Sequence, residues 1–179
     1  MNEYLERVHE FDERVEKWLE PHRSPFLDRI FFGLSSAADH GMIWHAFGFV
    51  RAVSVQDIGY ALRFSKALGY ESVLTNGIVK QFFGRTRPNE HYEHQEPLPY
   101  KMRRPITSSF PSGHAATAFM AAFALSKGPK SAPFWFTLAG LVAFSRIYVR
   151  LHHASDVIAG AALGLALGPI ARYWLNKNR

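Results

Sequence analysis

Ser145-Arg146-Ile147-Tyr148-Val149-Arg150-Leu151-His152-His153-Ala154-Ser155-Asp156 runs directly into residues 157–170, a Gly/Ala/Leu-rich stretch without a charged side chain. Two cations, two imidazoles and a carboxylate therefore stand at the mouth of an apolar helix. Gly160, Ala161, Ala162, Gly164, Ala166 and Gly168 let a neighbouring helix come close to it. His152 and Asp156 are four apart, a spacing that sets carboxylate beside imidazole on a helix, and His153 at three apart satisfies the same geometry. An Asp that accepts one ring N–H fixes the tautomer and leaves the other nitrogen free to attack. A carboxylate on an otherwise apolar helix is costly unless it serves a site. The competing account is a structural His–Asp pair at a helix start.

Working back towards the amino terminus, five more apolar stretches occupy residues 25–38, 41–55, 58–83, 115–125 and 132–144. None holds the roughly 20 uninterrupted apolar residues of an ordinary spanning helix, so each would span only with polar ends snorkelling or facing other helices. Alternating patterns flanked by hairpin turns are absent, so the expected class is all-α. The expected architecture is a six-helix membrane bundle in a single domain over residues 1–179. An amphipathic helix over residues 1–22 precedes it, and an active-site loop over residues 84–110 lies between the third and fourth spans.

In the first segment Tyr4, Val8, Phe11, Val15 and Trp18 fall on one helical stripe. Seven acids against three bases give its first 20 residues a net charge of -4. A secretory signal would start positive and continue apolar, and neither feature is present. The expectation is a helix whose stripe packs on the rest of the fold, because its negative balance opposes attraction to anionic lipid. Pro21, Ser24 and Pro25 end it.

Composition narrows the class further. The chain has 179 residues, no cysteine, and 21 Lys plus Arg against 15 Asp plus Glu, for a net charge of +6. Disulfide frameworks, thiolate metal sites and cysteine nucleophiles are thereby excluded. The excess positive charge implies an anionic partner. A mean hydropathy of -0.12 stands between the membrane and soluble classes. With the amino terminus inside, Arg51, Arg63, Lys66, Lys127, Lys130, Arg172, Lys177 and Arg179 all fall on the cytoplasmic side of six spans. Arg85, Arg87, Lys101, Arg103 and Arg104 break that rule, and an anionic substrate would explain why.

Two further stretches carry phosphate chemistry. Lys80 and Arg87 are seven apart, two helical turns, which predicts one shared face before Pro88 ends the helix. Arg supplies forked donors that match paired phosphate oxygens, and Lys adds a mobile point charge. The other stretch, Ser108-Ser109-Phe110-Pro111-Ser112-Gly113-His114, opens onto the apolar run at 115. Ser109 is the expected cap and Pro111 suits a first turn. Gly113 lets backbone N–H groups approach an anion at the positive helix end, where His114 can donate a proton. His91 and His94, with Glu90, Glu93 and Glu96, make at most half a metal site, so no metal is expected.

Lys80-x6-Arg87-Pro88, Pro111-Ser112-Gly113-His114 and Ser145-Arg146-x5-His152-x3-Asp156 together resemble the three-part signature of the type 2 phosphatidic acid phosphatase family. That superfamily also holds bacterial acid phosphatases and vanadium haloperoxidases. The resemblance implies a metal-free phosphatase without cofactor that works through a phosphohistidine. By it, His152 is the nucleophile, Asp156 its orienting partner and His114 the general acid. Lys80, Arg87, Ser112, Gly113 and Arg146 form the phosphate cradle. It also implies a multi-pass cell-membrane protein with an extracytoplasmic site. The short chain resembles compact bacterial enzymes acting on polyprenyl phosphates, pyrophosphates or lipid-linked sugar phosphates. Phosphatidic acid or phosphatidylglycerol phosphate is the alternative substrate, and a soluble acid phosphatase or haloperoxidase the alternative enzyme. A non-enzymatic scaffold has no use for the His–Asp pair and the acid together. Nucleic acid is not an expected partner, because the positive charge forms no continuous face.

Overall fold

The computed structural model describes residues 3–88 and 107–177. Among these, seven α-helices carry the fold and no strand occurs: α1 (Glu3–Leu19), α2 (Pro25–Ala37), α3 (Met42–Ser54), α4 (Ile58–Ser72), α5 (Gly113–Leu125), α6 (Ala132–Tyr148) and α7 (Ala154–Lys177). Each of the six apolar stretches became one of the helices α2 to α7. Most of the 84–110 stretch lies outside the described residues, including His91, His94, Lys101, Arg103 and Arg104.

Local chemistry sets several helix starts. Ser24 Oγ accepts from Leu27 N–H at 3.3 Å, with Pro25 in the first turn of α2. Asp57 Oδ1 accepts from Tyr60 N–H at 3.2 Å and caps α4. These side chains satisfy donors that a helix start otherwise leaves bare. After Ser72 the chain does not stop turning. A π-helical turn over Val73–Ile78 and a 3-10 turn over Val79–Phe82 carry it on towards the site. Lys80 and Arg87 therefore do not share a helical face, because the continuous helical run ends at Phe82 and residues 83–87 have no regular structure.

The core rests on α5 and α7. A Cβ on Gly160 would stand 2.2 Å from the Ser112 carbonyl oxygen, and one on Gly164 would stand 2.3 Å from that of Ala116. Only glycine allows two helix backbones this close. Ala118, Ala121, Ala122, Val142, Phe64, Trp44 and Leu175 fill the space between these helices and α3, α4 and α6. A second cluster of Leu19, Phe31, Phe32, Tyr148, Val149 and Leu151 joins α1 and α2 to the end of α6.

Two expectations are met only in part. The α1 stripe packs inward only at Val15, against the second cluster: Tyr4 and Trp18 are 78% and 57% exposed, whereas Asp12 is 1% exposed. The helix also docks through its acidic edge, because Arg85, Ser155 and His153 offer partners there. The count of six spans is also not established by helix length. By length and composition, α7 alone among the described helices is long and apolar enough to cross a membrane. At 13 residues each, α2, α3 and α5 reach about 20 Å, short of the roughly 30 Å hydrocarbon layer.

The Gly164→Val substitution is expected to push α5 and α7 apart and destabilise the protein by about 1–3 kcal/mol. Thermal unfolding of the purified variant checks this. An unchanged melting temperature would mean that the close approach is dispensable.

Candidate active site

The end of α6 and the start of α7 build one wall of a cavity. Arg150 takes a left-handed φ of 56°. Arg150 N–H then donates to Ile147 O at 2.9 Å and Leu151 N–H to Arg146 O at 3.1 Å, closing the helix end in a Schellman pattern. His152 N–H also reaches Arg146 O at 3.1 Å. One backbone oxygen thus ties the Arg146 and His152 positions together. Asp156 lies in the first turn of α7, and its Oδ2 accepts from His153 N–H at 2.9 Å.

The opposite wall comes from the start of α5. Ser112, not Ser109, is its cap: Ser112 Oγ accepts from Ala115 N–H at 3.5 Å. The Ser109 hydroxyl donates to Thr86 O at 3.0 Å and so secures the segment that carries Arg87. Ser112 N–H donates to Asp156 O at 3.0 Å, which joins the starts of α5 and α7.

A cavity of about 550 Å³ opens between these walls, and Lys80, Arg87, Gly113, His114, Arg146 and His152 all line it. Six of the eight expected site residues therefore meet at one cavity. Ser112 and Asp156 are fully buried behind its surface, one as cap and one beside the imidazole. Two assignments left open by spacing are now separated. His152 faces the cavity, whereas the His153 ring turns to Glu16 Oε1 at 2.8 Å and Thr86 O at 3.3 Å.

The hydrogen-bond partners define the His152 tautomer. Its Nε2 lies 3.3 Å from Arg87 Nη1. A guanidinium only donates, so Nε2 carries the lone pair and Nδ1 the proton. Nδ1 faces Asp156 Oδ2 at 3.5 Å, an electrostatic contact slightly longer than an ordinary hydrogen bond. Burial holds the imidazole well below the usual histidine range, with the Arg146 and Arg87 charges assisting and Asp156 opposing. The ring is neutral at pH 7, the form in which nitrogen is nucleophilic.

Three cations, Lys80, Arg87 and Arg146, are each at least nine-tenths buried around this ring. Arg87 is aimed by Leu151 O at 2.6 Å, Thr107 O at 3.1 Å and Ser108 O at 3.2 Å. Arg146 reaches Ser35 Oγ and lies 3.8 Å from Asp39 Oδ1. Its Nε is buried without a hydrogen-bond partner among the described residues. Buried like charges with an unfilled donor repel one another until an anion joins them.

Asp39 was not singled out in the sequence. It sits in the tight turn between α2 and α3, where His40 and Gly41 have φ of 53° and 71°. Its Oδ1 lies 2.9 Å from His114 Nε2, leaving the histidine at the cavity surface in a defined orientation. Partial burial raises the Asp39 pKa, but the hydrogen bond and charge of His114, with Arg146 and His40, outweigh this and hold it below the usual carboxylate value. Nothing in the spacing signals this pair, since the partners are 75 residues apart. Among the described residues no group of His, Cys, Asp and Glu is arranged to hold a metal ion. The arrangement can accept a dianion, attack it with Nε2 of His152 and protonate a leaving oxygen from His114.

A family model described as the PAP2 superfamily matches residues 59–179. The lipid A 1-phosphatase of Porphyromonas gingivalis is 37% identical over 122 residues, covering 63% of this chain but 23% of that protein. The decaprenylphosphoryl-5-phosphoribose phosphatase of Mycobacterium tuberculosis is 26% identical over 138 residues, covering 77% of this chain and 75% of that protein. In fold, the chain is similar to the crystal structure of a transmembrane PAP2 type phosphatidylglycerolphosphate phosphatase from Bacillus subtilis, with a TM-score of 0.72, 23% identity, and coverage of 97% of this chain and 88% of that one.

Burial of neutral His152 has a consequence for stability. Below the ordinary histidine pKa near 6.5, the unfolded chain takes up a proton that the folded ring refuses, so stability falls as pH falls through that range. The His152→Asn variant lacks this contribution. Between about pH 8 and about pH 5 the parent's melting temperature is therefore expected to drop relative to the variant's. Parallel curves would show that the ring protonates freely in the folded protein.

Proposed function

The chain belongs to the PAP2 superfamily, and from that premise we propose that it is a membrane phosphatase of lipid phosphates that works through a phosphohistidine at His152. The observation that carries this reading is the convergence of buried Lys80, Arg87 and Arg146 on a neutral histidine that lines the same cavity.

In the proposed reaction the three cations bind the phosphate dianion, with Gly113 allowing the α5 amino end to approach it. His152 Nε2 attacks phosphorus, forming the N–P bond as the bond to the lipid-side oxygen breaks. His114 gives its proton to that leaving oxygen. Asp156 acts as a positioning residue that keeps the Nδ1 proton in place, and Asp39 does the same for His114. Water then attacks phosphorus and yields its proton to His114. The N–P bond breaks, and phosphate and free His152 are regenerated. Charge develops on the equatorial oxygens during transfer, so fixed cations accomplish most of the catalysis. The reading assigns the reaction no metal and no cofactor.

Two observations support a lipid-linked sugar phosphate or polyprenyl phosphate as substrate. The cavity is larger than a phosphate group needs, and its lining also includes His40, His45, Ser65, Ser72, Asn76 and Thr117, groups suited to hydroxyls. Among them, His45 Nδ1 and Ser65 Oγ lie 2.9 Å apart. The names of the relatives from P. gingivalis and M. tuberculosis, lipid A and decaprenylphosphoryl phosphoribose, fit the same chemistry. Membrane placement is supported by what the fold leaves outside: Phe26, Met42, Val50, Ile58, Leu62, Val73, Phe134 and Ile170 are all exposed. A multi-pass arrangement with the site extracytoplasmic follows if α2 to α7 cross together and the basic loops stay inside.

Phosphate release is to be compared across a lipid-linked sugar phosphate, a polyprenyl pyrophosphate, phosphatidic acid and phosphatidylglycerol phosphate, with EDTA throughout. Turnover of the first two above the others is expected, with no loss to EDTA. His152→Ala should abolish release and Arg146→Gln should lower kcat about 100-fold. Full activity of His152→Ala would eliminate the proposed nucleophile.

A further inference from the structure

A second network stands behind the proposed nucleophile, and it originates on α1. Asp12 is 1% exposed although it belongs to a surface helix. Its Oδ1 accepts from Ser155 N–H at 2.8 Å and its Oδ2 from Ser155 Oγ at 2.7 Å. It therefore caps the first turn of α7 from another part of the chain, where a carboxylate also meets the positive helix end. The same Oδ2 accepts from Arg85 Nη2. Arg85 Nη1 in turn donates to Ser155 Oγ at 2.6 Å and to Asp156 Oδ1 at 2.6 Å.

Asp156 is thus held from both sides. Its Oδ1 belongs to Arg85, and its Oδ2 takes His153 N–H and faces His152 Nδ1. Rotation of the carboxylate would break the Arg85 bond, so the oxygen facing His152 is set by a guanidinium that Asp12 anchors. Arg85 is itself fixed at the backbone: its N–H donates to Ser108 Oγ at 3.2 Å, and its carbonyl accepts from Ser109 N–H at 2.9 Å. An isolated buried carboxylate beside a neutral imidazole has several orientations of comparable energy. A forked donor bound to two carboxylates leaves one.

We propose that Asp12 and Arg85 are positioning residues for the reaction, forming with Asp156 a relay that orients the His152 imidazole and makes α1 part of the active site. This rests on the reading of His152 as nucleophile. Misplacement of a reacting group by an ångström costs on the order of 100-fold in rate, and that is the scale the relay protects. Glu16 provides an internal comparison, because it docks the same helix through the His153 ring without touching Asp156.

The test measures kcat and KM for Asp12→Asn, Arg85→Gln, Arg85→Lys, the Asp12→Asn/Arg85→Gln double variant and Glu16→Gln, on whichever lipid phosphate of the panel above the parent hydrolyses. Arg85→Gln is expected to lower kcat about 10- to 100-fold with KM within about twofold, and Asp12→Asn to lower it by about 10-fold. The double variant should be no worse than Arg85→Gln alone, since both act through Asp156. Arg85→Lys should recover part of the loss, and Glu16→Gln should stay within about twofold of the parent. In nitrogen-15 spectra of the histidine-labelled protein, His152 should show the Nδ1–H tautomer in the parent and a mixture in Arg85→Gln. That signal reports on the relay without any substrate. Asp12→Asn and Arg85→Gln at parental kcat, or an unchanged tautomer in both, would overturn the relay. Equal losses in Asp12→Asn and Glu16→Gln would overturn it too, leaving α1 a merely structural role. A dead His152→Ala beside unaffected relay variants rejects this inference alone. A fully active His152→Ala rejects the reading beneath it.

Discussion

The close approach of α5 and α7 is the constraint on which the cavity depends. Gly160 and Gly164 bring the α7 backbone against carbonyl oxygens of the α5 start, and Ser112 N–H closes the contact by donating to Asp156 O at 3.0 Å. Two helix amino ends are thereby fixed side by side, each contributing partial positive charge. His114 extends from one and Asp156 from the other, so the distance between the candidate acid and the candidate nucleophile's partner is a property of helix packing. The remaining site parts are appended to this pair. The α6 end delivers Arg146 and His152 through one Schellman turn, and the segment after α4 delivers Lys80 and Arg87.

Electrostatics divides the molecule into two layers. Facing the cavity, Lys80, Arg87 and Arg146 outnumber the single carboxylate of Asp39. Behind the wall, Asp12, Glu16 and Asp156 take Arg85 and His153. Cations thus predominate where a phosphate would enter, while these acids sit where they hold imidazoles and guanidinium groups in place. A carboxylate directly among the three cations would compete with the substrate. Asp39 stays at the rim, half-exposed and committed to His114.

How legible this was from the sequence depended on whether the signal was local. The six apolar stretches became α2 to α7 because periodicity and length are local properties, and the small residues of α7 correctly announced a close neighbour. Lys80, Gly113, His114, Arg146 and His152 could be picked out from side-chain chemistry at short spacing, and all face the cavity. Inferences that extended a helix too far failed. Lys80 and Arg87 meet because the chain unwinds after Phe82, not because they share a face, and the α5 cap lies three residues later than expected. The Asp39–His114 pair and the Asp12–Arg85 contact were invisible, since they join segments more than 70 residues apart and neither carboxylate has distinctive neighbours. The α1 stripe misled for a related reason. Apolar periodicity identifies a face without saying whether protein or lipid covers it.

That last ambiguity bears on the mean hydropathy of -0.12. A soluble bundle hides its apolar residues and exposes its charges. Here the polarity is reversed at many positions: Arg87, Arg146, Glu71, Asp156 and His152 are buried, while Phe26, Met42, Val50, Ile58, Leu62 and Ile170 are outside. Part of the charge that a soluble protein would place on its surface is thus gathered into a polar interior. Short helices suit such an interior. Residues at their ends need not be apolar if the site they surround is itself wet and charged, and a continuous apolar run is required only on the lipid side. In the proposed placement, the interrupted spans and the phosphate cavity are therefore one feature. Asn76, Lys80 and Arg146, which interrupt or end apolar runs, line that cavity.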